Sequence, residues 1–295
     1  MLPNFIIAGV VKGGTTSIFR YLAGHPEVCA SSIKESCYFL PIRYGGLRGD
    51  IAEYEKLFCA CKDELIRMES TPGYFNGNES LPREIKNVLG DIKVIIVLRE
   101  PVSRFVSFFG FMKSSLLLPK ELSIEDYFNQ CLSQNDSTLR VQDHDRYYGL
   151  EGGCYSKYLP YWKSAFGENL KVMFFDGLKV SPESFMREVS NFIGIDAAYF
   201  DGMEFESENK TRAYKYRWLH ASAIGIYKLV FSRIQKYEYL RKKLLYTYYL
   251  INGSALSTNL SDSLLEKLNA YYQPYNKALR SIVDEQEVPN WLKNA

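Results

Sequence analysis

Apolar positions along the chain fall into two alternating patterns. Short runs rich in branched and aromatic residues occur at 4–10, 64–69, 93–98 and 170–175, separated by stretches with helical spacing. This alternation predicts an α/β fold, a parallel sheet covered by helices on both faces. "KVIIVL" and "LKVMFF" are apolar at nearly every position, as strands buried on both faces must be. After the last run, "SPESFMREVSNFIGI" predicts a helix with Ser181 as N-cap and Pro182 in the first turn. Phe185, Val189, Phe192 and Ile193 share one face of it, and Gly194 is its stop. From Lys215 to Lys243 the only acid is Glu238, so this stretch reads as one or two basic amphipathic helices. They are open to solvent, to an anionic substrate or to peripheral contact with a membrane surface. The tail "LSDSLLEKLNAYYQPYNKALRSIV" fits a capped helix interrupted near Pro274, with Leu264, Leu268, Tyr271 and Tyr272 packing on the sheet. No repeat or low-complexity linker divides the chain, so one domain over 1–295 is expected.

Composition narrows the function classes. At 46% hydrophobic and 24% charged residues the chain has ordinary globular usage, which excludes a disordered or fibrous protein. A formal net charge of +2 is too small for wholesale nucleic-acid binding, so no nucleic-acid partner is expected. The apolar runs are far too short for a transmembrane segment, and no signal-like stretch precedes Phe5; a cytoplasmic protein is the expectation. The six cysteines are irregularly spaced and lack the pairing of a zinc site, which predicts buried, reduced thiols and no metal.

The chemistry concentrates in two stretches. "FIIAGVVKGGTTSIFRYL" (5–22) is a strand, a Gly-rich turn and a helix start. Several backbone N–H groups and a helix N-terminus then surround one point, an arrangement suited to a phosphate-like anion. Its order is G-x-x-K-G-G-T-T, whereas an ATP or GTP loop needs the lysine after the glycines. Lys12 therefore approaches the terminal group from the other side, where it suits a leaving-group oxygen. In "VIIVLREPVSRFVSFFGF" (94–111), a buried strand delivers Arg99 at its C-terminal end and Pro101 starts a helix bearing Ser107. A guanidinium fork and a hydroxyl placed there can hold a second phosphate.

"GVVKGGTTSIFRYLAGHPEV…KESCYF" and "VLREPVSRFVSFF" resemble the two nucleotide-binding stretches of sulfotransferases that use 3′-phosphoadenosine 5′-phosphosulfate (PAPS), above all the carbohydrate and heparan-sulfate type and its bacterial relatives. "ESTPGYF", "GGCYSKYLPYWKSAFGENLKVMFFDGL", "YKYRWL" and "YYQPYNKALRSIV" follow in the family's order, and 110–150 is the least matched stretch. The resemblance implies a single P-loop-like domain with a central parallel sheet flanked by helices. It also implies that Lys12, Gly13, Gly14, Thr15, Thr16 and Ser17 form the 5′-phosphosulfate loop. Arg99 and Ser107 would bind the 3′-phosphate, with Tyr155 near the nucleotide. Lys12 would stabilise the leaving group and Glu35, in "KESCYF", would be the general base. PAPS would be the donor, without a metal, and the acceptor a carbohydrate or small molecule.

The chain departs from the family twice: Ser70 stands where the family's second catalytic lysine is usual, and Cys37 where many relatives have histidine. His144 is an alternative base, and Glu35 read blandly is an exposed carboxylate paired with Lys34. The acceptor pocket is expected from Met112 to Gly149 and from Tyr38, Phe39, Tyr74 and Phe75. Two other function classes stay open at this point: a magnesium-dependent P-loop kinase or nucleotidase, and a non-catalytic nucleotide-binding protein that docks through 215–243.

Overall fold

The computed structural model describes residues 1–139, 141–205, 213–234, 244, 247, 248, 250–254, 260–283 and 288–293. Five parallel strands form the central sheet: β1 (Phe5–Gly9), β2 (Val28–Ala30), β3 (Ile66–Ser70), β4 (Lys93–Leu98) and β5 (Leu170–Phe174), in the order β2-β3-β1-β4-β5. The apolar runs become strands because each has a wall on both faces. Phe5, Ile7, Ile95 and Val97 point into one buried cluster, while Ile6, Ala8, Val94, Ile96 and Leu98 point into the other. Helices Thr15–Ala23 and Pro182–Ile193 cover the first face, Ser80–Leu89 and Leu159–Phe166 the second. Burying each large side chain contributes about 1.5–3 kcal/mol. A third apolar cluster lies on helices Pro101–Ser114 and Ile124–Leu132, with Phe105, Phe109 and Tyr127 at its centre.

Four expectations change on contact with the structure. Strand β2 escapes a periodicity reading because it has three residues and only Val28 is buried. Ser181 occupies the N-cap position, yet its hydroxyl donates to Ser184 Oγ at 2.9 Å and not toward the backbone; Pro182 and left-handed Gly194 bound the helix as expected. The tail helix runs unbroken from Asp262 to Arg280 through Pro274. A mid-helix proline costs about 3 kcal/mol, and the anchors on either side, Leu268 and Tyr272 before it and Leu279 after it, offset that cost. Those first anchors, with Leu264, sit in the third cluster and not on the sheet; Leu279 alone of the four reaches the sheet-side core.

The fourth correction concerns sulfur. Cys29 and Cys61, expected as free thiols, form a disulfide across 32 residues, with Cα atoms 5.5 Å apart. Without β2 in the reading, nothing brings Cys29 beside the turn that carries Cys61. Cys131 and Cys154 are free and buried as expected, whereas Cys37 is half-buried and Cys59 exposed. The basic segment starts as one helix, Arg217–Ile234, with Trp218 and Ile226 exposed; 235–243 lie outside the described residues. Among the described residues no helix is long and apolar enough to cross a membrane.

Candidate active site

Parallel strands place their C-terminal ends on one edge, and the predicted residues gather there. The chain leaves β1 through Gly9 and turns back at once, Gly13 N–H donating to Val10 O at 2.8 Å. Gly13 lies against β4: a Cβ at this position would meet Val97 O at 2.4 Å, so only glycine fits. Gly14, at φ +85°, is the N-cap of helix Thr15–Ala23, and a side chain there would run into the Phe175 ring. Thr15 is buried, while Thr16 and Ser17 are half-buried in the first turn, where helical amides have no partner within the helix.

Lys12 itself is left-handed at φ 71°, a conformation that costs a non-glycine residue of order 1–3 kcal/mol. Its ammonium lies 4.8 Å from the centre of the Phe111 ring. Burial, and then the charge of Arg99, pull the Lys12 pKa down to about 8, with Glu35 acting in the opposite sense. Arg99 follows β4 directly; it donates to Lys12 O at 3.1 Å and stacks on Phe175 at 4.9 Å. Tyr155, wholly buried, donates its hydroxyl to Arg99 O at 2.6 Å and so ties the 155 turn to the strand end. Ser107 is half-buried on helix Pro101–Ser114. No carboxylate of the described residues lies within ion-pair distance of Lys12 or Arg99. Two cations, the open end of a helix and a cradle that excludes any Cβ together suit an anion.

Glu35 also reaches this edge. It follows β2, is left-handed at φ 63°, has 53% of its side chain exposed, and lies 2.6 Å from Lys34 Nζ. Cys37 is left-handed too, at φ 56°, and burial followed by the Glu35 and Glu69 charges push its thiol up to about 11. His144 lies in the turn Gln142–Tyr147 with Nδ1 buried and unbonded; the neighbouring Asp145 turns toward Arg43, at 3.4 Å, and Tyr44.

The expected aromatic lining is not what the structure holds. Phe39, Tyr74 and Phe75 are completely buried in the sheet-side core, and Tyr38 stacks flat on Tyr54 at 4.2 Å. They build the floor below the edge and not a pocket wall. A cavity of about 370 Å³ lies instead beside Arg43, Asn76, Tyr148, Glu151, Lys157 and Tyr161. Of the described residues in 112–149, only Leu139 and Tyr148 line it.

Sequence reading passed over two residues here. Glu100 caps helix Pro101–Ser114, its carboxylate accepting from Val102 and Ser103 N–H at 2.8 and 2.6 Å. Arg104, one turn on, is wholly buried and donates to Gly149 O. The spacing E-P-V-S-R carried a signal for both, since an acid before a Pro-led helix is a cap and an arginine on its apolar face needs a buried acceptor.

Fold and site together define an α/β domain with a P-loop-like anion loop whose lysine precedes its glycines. The sulfotransferase domain family matches residues 2–278, and the chain belongs to that family. The membrane-associated sulfotransferase kil1 of Dictyostelium discoideum is 30% identical over 148 residues, 50% of this chain and 31% of that protein. The human heparan sulfate glucosamine 3-O-sulfotransferase 3B1 is 30% identical over 196 residues, 66% of this chain and 46% of that one. The chain thus spans less than half the length of these two relatives. A sulfotransferase from Alicyclobacillus acidocaldarius superposes with a TM-score of 0.67 over 99% of both chains at 20% identity, a likeness of fold.

Proposed function

We propose that this chain transfers a sulfuryl group from PAPS to a hydroxyl or amine of a carbohydrate or small-molecule acceptor. The observation that carries the reading is the meeting of Lys12, Arg99 and the Gly14-capped helix at one strand edge, with no carboxylate of the described residues within ion-pair distance of either cation. In this reading Lys12, the amides of 14–16 and the hydroxyls of Thr15, Thr16 and Ser17 hold the 5′-phosphosulfate. Arg99 and Ser107 hold the 3′-phosphate, and Tyr155 keeps Arg99 in place. The acceptor oxygen or nitrogen forms its bond to sulfur as the bond from sulfur to the phosphate oxygen breaks. Glu35 takes the acceptor's proton, and the Lys12 ammonium stabilises the negative charge left on the phosphate. The cavity beside Tyr148 and Tyr161 offers the acceptor ring faces and polar groups.

Titration calorimetry with adenosine 3′,5′-bisphosphate, set against ATP with magnesium, tests the donor. Tight, metal-independent binding of the bisphosphate that is lost in Arg99→Ala is the expected result. Preference for ATP with magnesium overturns the reading in favour of a kinase.

A further inference from the structure

Beneath the loop that carries Glu35 lies a carboxyl group for which the chemistry above has no use. Glu69, near the end of β3, is completely buried, and no Lys or Arg of the described residues lies within ion-pair distance of it. It is held by hydroxyls alone. Oε1 accepts from Ser36 Oγ at 2.9 Å and from Thr71 Oγ1; Oε2 accepts from the Tyr54 hydroxyl at 3.2 Å. Burial pushes the carboxyl pKa up, and these donors act against that rise.

The hydroxyls pass the contact on to the backbone. Thr71 Oγ1 accepts from Cys37 N–H at 3.3 Å, and Ser36 Oγ accepts from Tyr38 N–H at 3.3 Å. The Tyr74 hydroxyl, 3.4 Å from Ser36 Oγ, accepts from Phe39 N–H at 3.2 Å. A hydroxyl has one proton, so Ser36 and Thr71, having given theirs to the carboxylate, must offer lone pairs to the amides. With its oxygens accepting from Ser36, Thr71 and Tyr54, the carboxyl group orients the relay from its buried end. The segment so held contains two left-handed residues, Glu35 and Cys37, and Glu35 N–H is tied to Ser70 O at 2.9 Å on the same strand end.

We propose that Glu69 is a positioning residue which, through Ser36 and Thr71, fixes the 35–39 loop and thereby aims Glu35 at the acceptor. This rests on the reading of Glu35 as the base. Glu69 opens the matched stretch "ESTPGYF", but no spacing reports the relay, because Ser36 and Tyr54 meet Glu69 across 33 and 15 residues.

The test compares wild type, Glu69→Gln, Glu35→Gln and the double variant. Three measurements are made: amide hydrogen exchange, adenosine 3′,5′-bisphosphate affinity, and turnover of PAPS with water as the acceptor. Glutamine keeps one acceptor oxygen but puts an NH₂ donor where a second is needed. In Glu69→Gln the amides of Cys37, Tyr38 and Phe39 should exchange at least tenfold faster while those of 93–98 stay protected. Turnover should fall about 10- to 100-fold, within the range a positioned base supplies, with bisphosphate affinity unchanged. The double variant should be no slower than Glu35→Gln alone. Unaltered exchange in the loop, or losses that simply multiply in the double variant, overturns the proposal. Full turnover in Glu35→Gln overturns the base reading instead, and the exchange data then decide separately whether Glu69 holds the loop. Should Glu69→Gln not fold, Thr71→Val removes one relay and must release the Cys37 amide but not that of Tyr38; protection at Cys37 in that variant overturns the proposal.

Discussion

The two sides of the strand edge are built from different materials. On the proposed donor side, from Val10 to Ser17 and from Arg99 to Ser107, the backbone does most of the shaping: two glycines, a helix end and a strand end define the cradle, and two cations complete it. On the proposed acceptor side, from Ser31 to Tyr44 and from Gln142 to Tyr161, side chains shape the surface through long-range bonds such as Tyr44 and Arg43 to Asp145. A backbone cradle is insensitive to most substitutions but intolerant of a Cβ. A side-chain lattice can be re-tailored residue by residue. The difference suits a protein whose donor is constant and whose acceptor is the variable partner.

Four experiments test this contrast. Lys12→Ala should lower turnover by about 10²–10³, the loss typical of removing one stabiliser of developing charge, with unchanged far-ultraviolet circular dichroism. A loss below tenfold would mean that the amides alone bear the charge. Replacing Cys29 and Cys61 together by serine should cost about 2–4 kcal/mol in a denaturant titration, without altering bisphosphate affinity, because the bond staples β2 and not the donor loop. The third is a pH titration. Lys12 loses its proton near pH 8, well below an ordinary lysine, so the free protein loses its cation as pH rises through that value. Bisphosphate affinity should fall up to tenfold from pH 8 to 9, and binding at pH 8.5 should take up a proton, visible as a calorimetric heat that varies with the buffer. Lys12→Arg should abolish this dependence. The smallest effect belongs to the acceptor side: Asp145→Asn weakens the Arg43 pair and should cost about 1 kcal/mol, while leaving donor affinity within twofold. A larger fall in donor affinity would show that the two sides are coupled.

The same contrast explains what could be read from the chain. Strands β1, β4 and β5, the donor loop and the Pro101 helix were legible because each is local: an apolar run, a glycine that only one turn needs, a proline at a helix start. The family resemblance added Glu35, which the fold does bring to the edge beside Lys12. Phe39, Tyr74 and Phe75 were misplaced because aromatic character does not say which side of a layer a residue faces. The Glu69 relay, the Cys29–Cys61 bond and the Arg43–Asp145 pair all join residues from separate segments, and no spacing rule reports such meetings.

The strand order has a consequence for how the protein is made. β1 is synthesised first yet lies at the centre, flanked by β3 and β4, so the Lys12 loop has no wall until Val97 has emerged from the ribosome. At about 5–20 residues per second, the nascent loop waits on the order of 5–20 s for the strand whose carbonyl packs against Gly13. Late in that interval β3 can cover one edge of "FIIAGVV", but the edge that β4 will take stays open, which makes this apolar stretch a place for chaperone shelter.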